Sequence, residues 1–320
     1  SQAGAVSARN LARWNGSSWR SIGNVNGSVY ALMESGGGLI AGGELSEVGG
    51  VAVSGIASWN GSGWSALGSG ITYGTVNALA ARTGELYIGG GFTIVGPEPT
   101  YNIARWDGVG WSGLGSGIST GGVRALAATP GSLYVGGGFT SIGPDFVNYV
   151  ARWDGSNWHP LETSFGVGVN GVVNALQIVG SELIVAGAFT QAGGGPGTRM
   201  ARWDGSNWNP LDTGIGNNPS DHVNALAWHN GILYAGGSFA VAGGVPARNL
   251  AQWNGAAWSS VGSGIANGVD DEVYALAVVG DRLYVGGAFT RAGGQLSHRM
   301  ASWSLSDAPL FANGFETPSP

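Results

Sequence analysis

The sequence contains no cysteine and no lysine. Without cysteine the chain has no disulfide bond, no thiolate nucleophile and no cysteine ligand for zinc. All 13 basic residues are arginines, and they are scattered without the run or stripe that neutralises the phosphates of a nucleic acid. Because the formal net charge is also −6, we expect no nucleic-acid partner.

Long apolar runs are missing as well, since no stretch approaches the roughly 18 residues of a membrane span. Charged residues make up only 10% of the chain, whereas the 14 tryptophans argue against a disordered chain. The 62 glycines among 320 residues are therefore expected to form tight turns. The first residues, Ser1-Gln2-Ala3-Gly4, fit the mature end left by removal of a signal peptide, or a trimmed chain. We expect a secreted or surface-displayed bacterial protein that is monomeric.

Internal repetition dominates the sequence. Six of seven recurring tryptophans have a second tryptophan five residues later, and the spacing between repeats is 45 to 50 residues. The seven are Trp14, Trp59, Trp106, Trp153, Trp203, Trp253 and Trp303.

Each repeat predicts four short strands. Taking one repeat as the example, strand a is Val76–Leu79, strand b is Leu86–Gly90, strand c ends at Trp106 and strand d begins at Trp111. Asp-Gly or Asn-Gly follows strand c, as expected for a tight c–d hairpin.

Four strands repeating every 45 to 50 residues are typical of the blades of a β-propeller. Six copies of strand a and of strand b predict an all-β, six-bladed propeller with four antiparallel strands per blade. We predict one domain over residues 1–303 and a C-terminal tail over 304–320. The stretch from Leu11 to Ile22 contains strands c and d without a and b. We therefore predict a ring closed by both termini, with the strand around Trp19 completing the last blade.

Strand b carries a tyrosine followed by two glycines, as in Tyr87/Gly89-Gly90 and Tyr284/Gly286-Gly287, and the tryptophan pair comes next in the chain. On this pattern the repeat resembles kelch repeats, and the chain is similar to divergent bacterial relatives of the galactose oxidase central domain. The pattern departs at Ala186-Gly187, where the double glycine is broken, and at Leu39-Ile40, where the aromatic is lost. The resemblance implies a propeller fold and little about activity.

One face of the predicted propeller carries the long d–a and b–c links, whereas the a–b and c–d links are short. Insertions gathered on one face usually mark the binding side of a repeat protein. The candidate binding residues on this loop-rich face are Tyr73, Tyr101, Asp145, Phe146, Tyr149, Phe165, Asp221, His222, Asp270, Asp271 and His298. Aromatic rings beside carboxylates, amides and imidazoles suit a glycan or protein ligand. Ordinary packing of loop residues onto the blade edges is the alternative for each of them.

A second set of candidates follows the valine of strand a, which lines the axis of a propeller. These residues are Tyr30, Asn77, Arg124, Asn174, Asn224 and Tyr274. We expect them to surround the mouth of the central channel. The alternative is that the recurring asparagine ties one blade to its neighbour.

Catalytic patterns are weak in comparison. The four histidines lie in different repeats without the spacing of metal ligands, so we expect no cofactor. The run Asp270-Asp271-Glu272 near His298 could form a calcium site or an acid–base pair, although a solvated acidic turn is the simpler interpretation.

The leading hypothesis is a binding module for a glycan or a protein. A polysaccharide hydrolase or lyase and a structural scaffold are the alternatives.

Overall fold

The computed structural model describes residues 2–4, 6–82, 84–96, 98–262, 267–305 and 311–312. Over these residues every regular element is a β-strand, and no helix occurs that could cross a membrane. The chain divides into two compact units, Ser1–Pro160 and Leu161–Pro320. Three antiparallel sheets with the a-b-c-d order lie in the described part of each unit.

The first unit begins with two small hairpins and continues with blades 1 to 3. The hairpin strands are β1 (Gln2–Ala3), β2 (Val6–Ser7), β3 (Ala12–Trp14) and β4 (Trp19–Ser21). Blade 1 contains β5 (Val25–Ser35), β6 (Gly38–Val48), β7 (Val51–Ala52), β8 (Ile56–Trp59) and β9 (Trp64–Ala66). Blade 2 contains β10 (Gly74–Arg82), β11 (Glu85–Phe92), β12 (Ile94–Val95), β13 (Glu98–Pro99), β14 (Ile103–Trp106) and β15 (Trp111–Gly113). Blade 3 contains β16 (Val123–Thr129), β17 (Ser132–Gly137), β18 (Ser141–Ile142), β19 (Asp145–Phe146), β20 (Val150–Trp153) and β21 (Trp158–Pro160).

The second unit contains blades 4 to 6. Blade 4 follows the hairpin β22 (Glu162–Thr163) and β23 (Gly166–Val167), and contains β24 (Val173–Val179), β25 (Glu182–Gly187), β26 (Gln191–Ala192), β27 (Gly195–Pro196), β28 (Met200–Trp203) and β29 (Trp208–Pro210). Blade 5 contains β30 (His222–His229), β31 (Ile232–Ser238), β32 (Val241–Ala242), β33 (Val245–Pro246), β34 (Leu250–Trp253) and β35 (Trp258–Ser260). Blade 6 contains β36 (Val273–Val279), β37 (Arg282–Gly287), β38 (Arg291–Ala292), β39 (Gln295–Leu296), β40 (Met300–Ser304) and β41 (Phe311–Ala312).

Each blade pairs its strands in chain order, as in β10-β11-β14-β15 and β30-β31-β34-β35. All of these pairs are antiparallel. The predicted all-β class and the six blades of a β-propeller are therefore confirmed. The prediction of one domain over 1–303 is a separate matter and stays a prediction.

The tryptophan pair explains why consecutive blades stay together. The two rings of a pair lie opposite each other on strands c and d, with centroids 5.1 to 5.4 Å apart. The strand-d indole also donates a hydrogen bond to the end of strand d in the preceding blade, as Trp111 Nε1 does to Leu67 O at 3.1 Å. Trp158 and Trp258 repeat the bond to Leu114 O and Leu211 O. A tryptophan is required here because its ring is apolar while its N–H finds a partner.

Close contacts explain the double glycine of strand b. A Cβ on Gly89 would lie 2.3 Å from Val123 Cγ1 of blade 3, and a Cβ on Gly90 would lie 1.8 Å from the Thr75 carbonyl oxygen. The first glycine therefore lets the next blade approach, and the second lets strand a bulge toward strand b.

The last blade takes its fourth strand from a different segment than the one predicted. Its fourth strand is β41, which pairs with β40 through Ser302↔Ala312 and Trp303↔Phe311. The prediction that the strand around Trp19 takes this place is wrong, and residues 304–320, predicted to be a tail, contribute Ser304 and β41 to the sheet. Within the first unit β4 pairs with β3, and this hairpin packs against blade 1.

The c–d turns make the fold sensitive to acid. The carboxylates of Asp107, Asp154 and Asp204 each accept two backbone N–H groups of the turn at 2.7 to 2.9 Å. These bonds lower the pKa of all three carboxyls in the folded chain, with the His159 ring assisting at Asp154. Their contribution to stability is therefore present above the unfolded value of about 4 and is lost as the pH falls through the lower folded pKa.

We expect the wild-type melting temperature to fall between about pH 5 and pH 3 more steeply than that of a triple Asp107→Asn, Asp154→Asn, Asp204→Asn variant. Asparagine keeps the turn, because Asn60 accepts the same N–H pair from Ser62 and Gly63 at 3.0 and 2.9 Å. Thermal melts followed by circular dichroism from pH 3 to pH 7 measure the difference. Parallel pH profiles for the two proteins contradict the assignment.

Candidate functional site

The long links form ordered structure on the loop-rich face. In blades 2 to 6 each b–c link contains a two-stranded ribbon, such as β12–β13 and β38–β39. Single bridges join d–a links to these ribbons, as in Ile71↔Val95, Ile215↔Ala242 and Val269↔Ala292. Side chains on this face are therefore held by hydrogen-bonded backbone.

One position on this face changes from blade to blade. It lies two residues before strand c, and its occupants are Ser54, Tyr101, Asn148, Thr198, Arg248 and His298. In four blades its carbonyl accepts the N–H of a buried aliphatic residue of the d–a link at 2.8 to 3.0 Å; the donors are Ile71, Ile118, Ile215 and Val269. In these four blades the backbone frame is constant while the side chain varies. We call this the variable position.

A groove of about 390 Å³ opens beside the variable position of blade 5. Phe239, which is buried, Ser238 and Asn249 line it on blade 5, and Val269 and Asp270 line it on the link to blade 6. Asn249 joins the two walls, because its amide accepts the Phe239 N–H at 3.0 Å and donates to the Val269 carbonyl at 3.1 Å. The groove is thus a built feature of the two blades.

Arg248 is the cation of this groove. Its side chain is exposed, and the guanidinium has no hydrogen-bond or ion-pair partner among the described residues, although its carbonyl is bound by Val269. A guanidinium carries five N–H donors in a planar fork. The groove therefore combines an apolar wall, a hydroxyl and an available planar cation.

Two predicted carboxylates, Asp221 and Asp270, line the same groove. Asp221 is buried and accepts the N–H groups of Asn217 and Asn218 at 2.8 and 2.9 Å, so it holds its own loop. Asp270 accepts the Thr290 and Arg291 N–H groups at 2.8 and 2.7 Å and the Thr290 hydroxyl at 2.9 Å. Burial opposes the charge on Asp270, but these donors outweigh it and lower the pKa of that carboxyl.

A histidine and a carboxylate meet where blades 5 and 6 begin. His222 Nε2 lies 2.8 Å from Glu272 Oε1, and Asn224 donates to the same oxygen at 2.8 Å. Both His222 and Glu272 directly precede the first valine of strand a. Aligning the repeats at that valine is the signal that reveals Glu272, which entered the sequence analysis only within an acidic run. Asp271 is exposed and accepts the Glu272 N–H at 2.7 Å.

The predicted channel-mouth residues all occupy one structural position. The ladder between strands a and b shifts around Tyr30, Asn77, Arg124, Asn174, Asn224 and Tyr274, so each is the extra residue of a β-bulge. Three asparagines tie neighbouring strands a together, because Asn77, Asn174 and Asn224 donate to the carbonyls of Val123, Val223 and Val273 at 3.0 to 3.2 Å. Tyr30 and Tyr274 are more than half exposed.

The remaining candidates are exposed rings and polar groups of the links. Tyr73, Phe146 and Phe165 are 78%, 74% and 85% exposed, and Tyr101 is 43% exposed. Asp145 is exposed on β19 and His298 is exposed at the variable position of blade 6. Tyr149 is half-buried and lies one residue later in the repeat than Tyr101, at φ 70°. Ser238, Arg248 and Asn249 are not among the residues predicted from the sequence. Alignment of the repeats at the variable position is the signal that finds Arg248.

No group of three or more histidines, aspartates and glutamates suited to a metal ion occurs in the described ranges. The carboxylate of Asp270, proposed for calcium on the sequence pattern, is instead occupied by the Thr290–Arg291 backbone.

Comparison with known proteins supports the fold alone. No protein-family profile and no curated protein matches the chain. The chain is similar to the crystal structure of the computationally designed Ika8 protein, with a TM-score of 0.52, 15% identity, and coverage of 87% of this chain and 71% of that one. For the computationally designed Ika4 protein the TM-score is 0.35 at 15% identity, covering 57% of this chain and 91% of that one. What the chain shares with Ika8 is the backbone architecture.

Proposed function

We propose that this protein is a binding module that holds a glycan in the groove beside Arg248. The observation that carries the proposal is the available Arg248 guanidinium in a 390 Å³ groove with Phe239 on its wall. Ligand sites typically combine an apolar lining with a few fixed polar groups, in volumes of about 300 to 1,000 Å³. A sugar offers the matching chemistry, because its hydroxyls accept hydrogen bonds from a guanidinium and also bond a hydroxyl such as that of Ser238, which lines the groove.

The exposed rings on the d–a and b–c links extend this proposal beyond the groove, and each of the two units carries some of them. Tyr73, Tyr101, Phe146 and Phe165 offer apolar faces on which sugar rings stack, while their polar neighbours bind hydroxyls. The variable position supports it further, since a constant backbone frame with changing side chains is how loops on a rigid scaffold acquire specificity.

The proposal includes a kelch-like relationship, a secreted or surface location in a bacterium and a monomeric state. The kelch-like relationship rests on the double glycine and tryptophan pair, whose packing roles recur in successive blades. The location rests on the composition.

A glycan array probed with the labelled protein, followed by calorimetry on the best glycan, tests the proposal. We expect Arg248→Ala to weaken binding about tenfold, because a hydrogen bond from a charged donor contributes roughly 1.5 to 3 kcal/mol. Arg20→Ala is the matched control, since Arg20 is an exposed arginine of β4, and its affinity is expected to equal the wild type. An equal loss in both variants, or a glycan bound to the c–d turns, contradicts the site.

A hydrolase or lyase is the second candidate, and the His222–Glu272 contact at 2.8 Å favours it. A carboxylate that orients an imidazole is a common acid–base arrangement. Turnover of a bound glycan that disappears in His222→Ala and persists in His229→Ala supports the enzyme.

A protein ligand captured through the same Arg248 groove favours the protein-binding alternative, and the absence of any ligand favours a scaffold.

A further inference from the structure

A second cavity lies between the facing sheets of blades 4 and 5, away from the groove described above. Its volume is about 170 Å³. Glu182, Ile184 and Arg202 line it on blade 4, and Trp228, Leu233 and Trp253 line it on blade 5. Glu182 and Trp228 lie next to the short a–b turns. The cavity coincides with two departures from the repeat, one on each wall.

The first departure is Ile184 on strand b. At the same register blade 1 carries Ile40, whereas the four other blades carry a tyrosine; these are Tyr87, Tyr134, Tyr234 and Tyr284. Tyr87 is fully buried and packs in one cluster with Leu133 and Trp153 of the next blade. Leu233 and Trp253 are the corresponding residues opposite Ile184. The cavity therefore lies where blade 2 places a phenol ring.

Blade 4 keeps the carboxylate that binds the tyrosine hydroxyl in blade 2. In blade 2 the Tyr87 hydroxyl donates to Glu85 Oε2 at 2.5 Å, and Arg105 donates to Glu85 Oε1 at 2.9 Å. In blade 4 Glu182 and Arg202 occupy the same registers, and Arg202 Nη1 donates to Glu182 Oε2 at 3.2 Å.

The other carboxylate oxygen, Glu182 Oε1, has no hydrogen-bond partner among the described residues. An acceptor for a hydroxyl thus remains beside a cavity of ring size.

The second departure is Trp228 on strand a. The other blades carry Glu34, Ala81, Ala128, Ile178 or Val278 at this register. Trp228 is 37% exposed, and it lies in one cross-strand row with Leu233 and Trp253. The larger side chain thus supplies an aromatic wall without filling the cavity. Rings in such a setting pack edge-to-face or offset, which adds to simple burial.

We propose that this cleft binds a phenolic ring, with its hydroxyl on Glu182 and its ring against Trp228. The size agrees, because an apolar cavity of roughly 150 Å³ accommodates a benzene ring. The chemistry agrees too, since the same scaffold surrounds a covalently attached phenol in blade 2. The ligand is a free phenol or the tyrosine side chain of a partner, and both present the same group.

Ligand-observed NMR and calorimetry with p-cresol, toluene and N-acetyl-tyrosinamide test the proposal on the full chain. We expect p-cresol to bind about tenfold more tightly than toluene, because the hydroxyl gains a bond to a charged acceptor. Glu182→Gln is expected to reduce that preference, since the amide is a neutral partner. Tighter binding of p-cresol than of N-acetyl-tyrosinamide assigns the site to free phenols, and the reverse order assigns it to a tyrosine side chain.

The decisive variant is the double substitution Ile184→Tyr with Trp228→Ala. It recreates the pair formed by Tyr87 and Ala128 in blades 2 and 3, so the chain is expected to fold and to melt no lower than the wild type. We expect p-cresol binding to vanish, because an internal phenol fills the cleft. Binding that survives in this folded variant, or p-cresol that binds no better than toluene to the wild type, overturns the proposal. Arg248→Ala, in the other groove, is expected to leave p-cresol binding unchanged.

Discussion

Replacing Arg199 with methionine is expected to lower the free energy of unfolding by about 3 kcal/mol. One buried carbonyl is left unpaired, which costs roughly 1 to 3 kcal/mol, and two others each lose a hydrogen bond of about 1 kcal/mol. The Arg199 side chain is only 5% exposed and lies between the b–c link of blade 4 and the link to blade 5. Its guanidinium donates to the carbonyls of Phe189 and Asn218 at 3.0 and 2.7 Å, and also to that of Asp221. Methionine fills similar volume but leaves the Asp221 carbonyl without a donor. The carbonyls of Phe189 and Asn218 lose the guanidinium and keep only their backbone N–H donors, at 2.8 and 3.1 Å.

The repeat supplies a milder substitution at the same position. Asn102 and Asn249 occupy it in blades 2 and 5, and each amide bonds the Phe N–H of its own link and a carbonyl of the next d–a link. Arg199→Asn is therefore expected to destabilise less than Arg199→Met. The loss should remain measurable, because an asparagine is too short to reach all the carbonyls of the 214–221 loop.

Urea unfolding followed by tryptophan fluorescence measures these differences. Arg202→Met is the matched control, since Arg202 is 43% exposed and makes an ion pair of 3.2 Å with Glu182. Exposed ion pairs contribute at most about 1 kcal/mol. If Arg199→Met shifts the midpoint no more than Arg202→Met, then Arg199 does not hold the loop as described.

Features with a local sequence pattern were predictable. The tryptophan pairs, the Asp-Gly and Asn-Gly turns and the double glycines each span a few residues, and each has a single physical cause in the structure. The c–d hairpin shows this well, because Asp154 or Asn60 at the turn accepts the N–H groups two and three residues later. The six blades follow from counting such patterns.

Features set by register or by distant neighbours were not predictable. The β-bulges at Asn77 and Tyr274 depend on pairing between two strands, which alternation within one strand does not reveal. Arg199 looks like any arginine before a strand, and its burial follows from a loop about 20 residues later. Strand β41 lacks the strand-d tryptophan, so the pattern offered Trp19 for the last blade instead.

The candidate groove also combines residues that could be predicted from the sequence with residues that could not. The residues Asp221 and Asp270 were selected because carboxylates stand out in a sequence with few charges, and they do line one groove. Their partners, the backbone N–H groups of Asn218 and Arg291, were invisible because every residue carries that donor. Arg248 was passed over among scattered arginines, and only the constant frame of the variable position distinguishes it.

Removal of residues 1–22 is expected to destabilise the first unit by about 4 kcal/mol, because burial of one aliphatic side chain contributes roughly 1.5 to 3 kcal/mol. Leu11 and Ile22 of this segment pack in one cluster with Val25 and Trp64 of blade 1. Trp64 Nε1 donates to Ile22 O at 2.5 Å, which is the counterpart of the bonds that Trp111, Trp158 and Trp258 make to the preceding blade. The hairpin β3–β4 therefore serves blade 1 as the c–d half of a preceding blade would.

The hydrogen bonds of residues 1–22 also resemble those between consecutive blades. The Val25 N–H donates to Arg9 O at 3.0 Å, and the Asn10 amide donates to Gly27 O at 2.8 Å. Asn10 has φ 65° and directly precedes Leu11, so it matches Asn102 and Asn249 in conformation and position. Loss of the segment leaves the Val25 N–H and the Trp64 indole without these acceptors.

A double-mutant cycle separates this specific packing from a general effect of shortening the chain. Trp64→Phe in the full chain removes the indole N–H and is expected to cost about 1 kcal/mol. In the chain lacking residues 1–22 the acceptor Ile22 O is already gone, so the same substitution should cost much less of the free energy of unfolding. Ser17→Ala, in the exposed β3–β4 turn, is the point control and should change little. Trp64→Phe costing the same in both backgrounds would show that the hairpin does not hold blade 1 through this bond, since substitutions that share no interaction simply add.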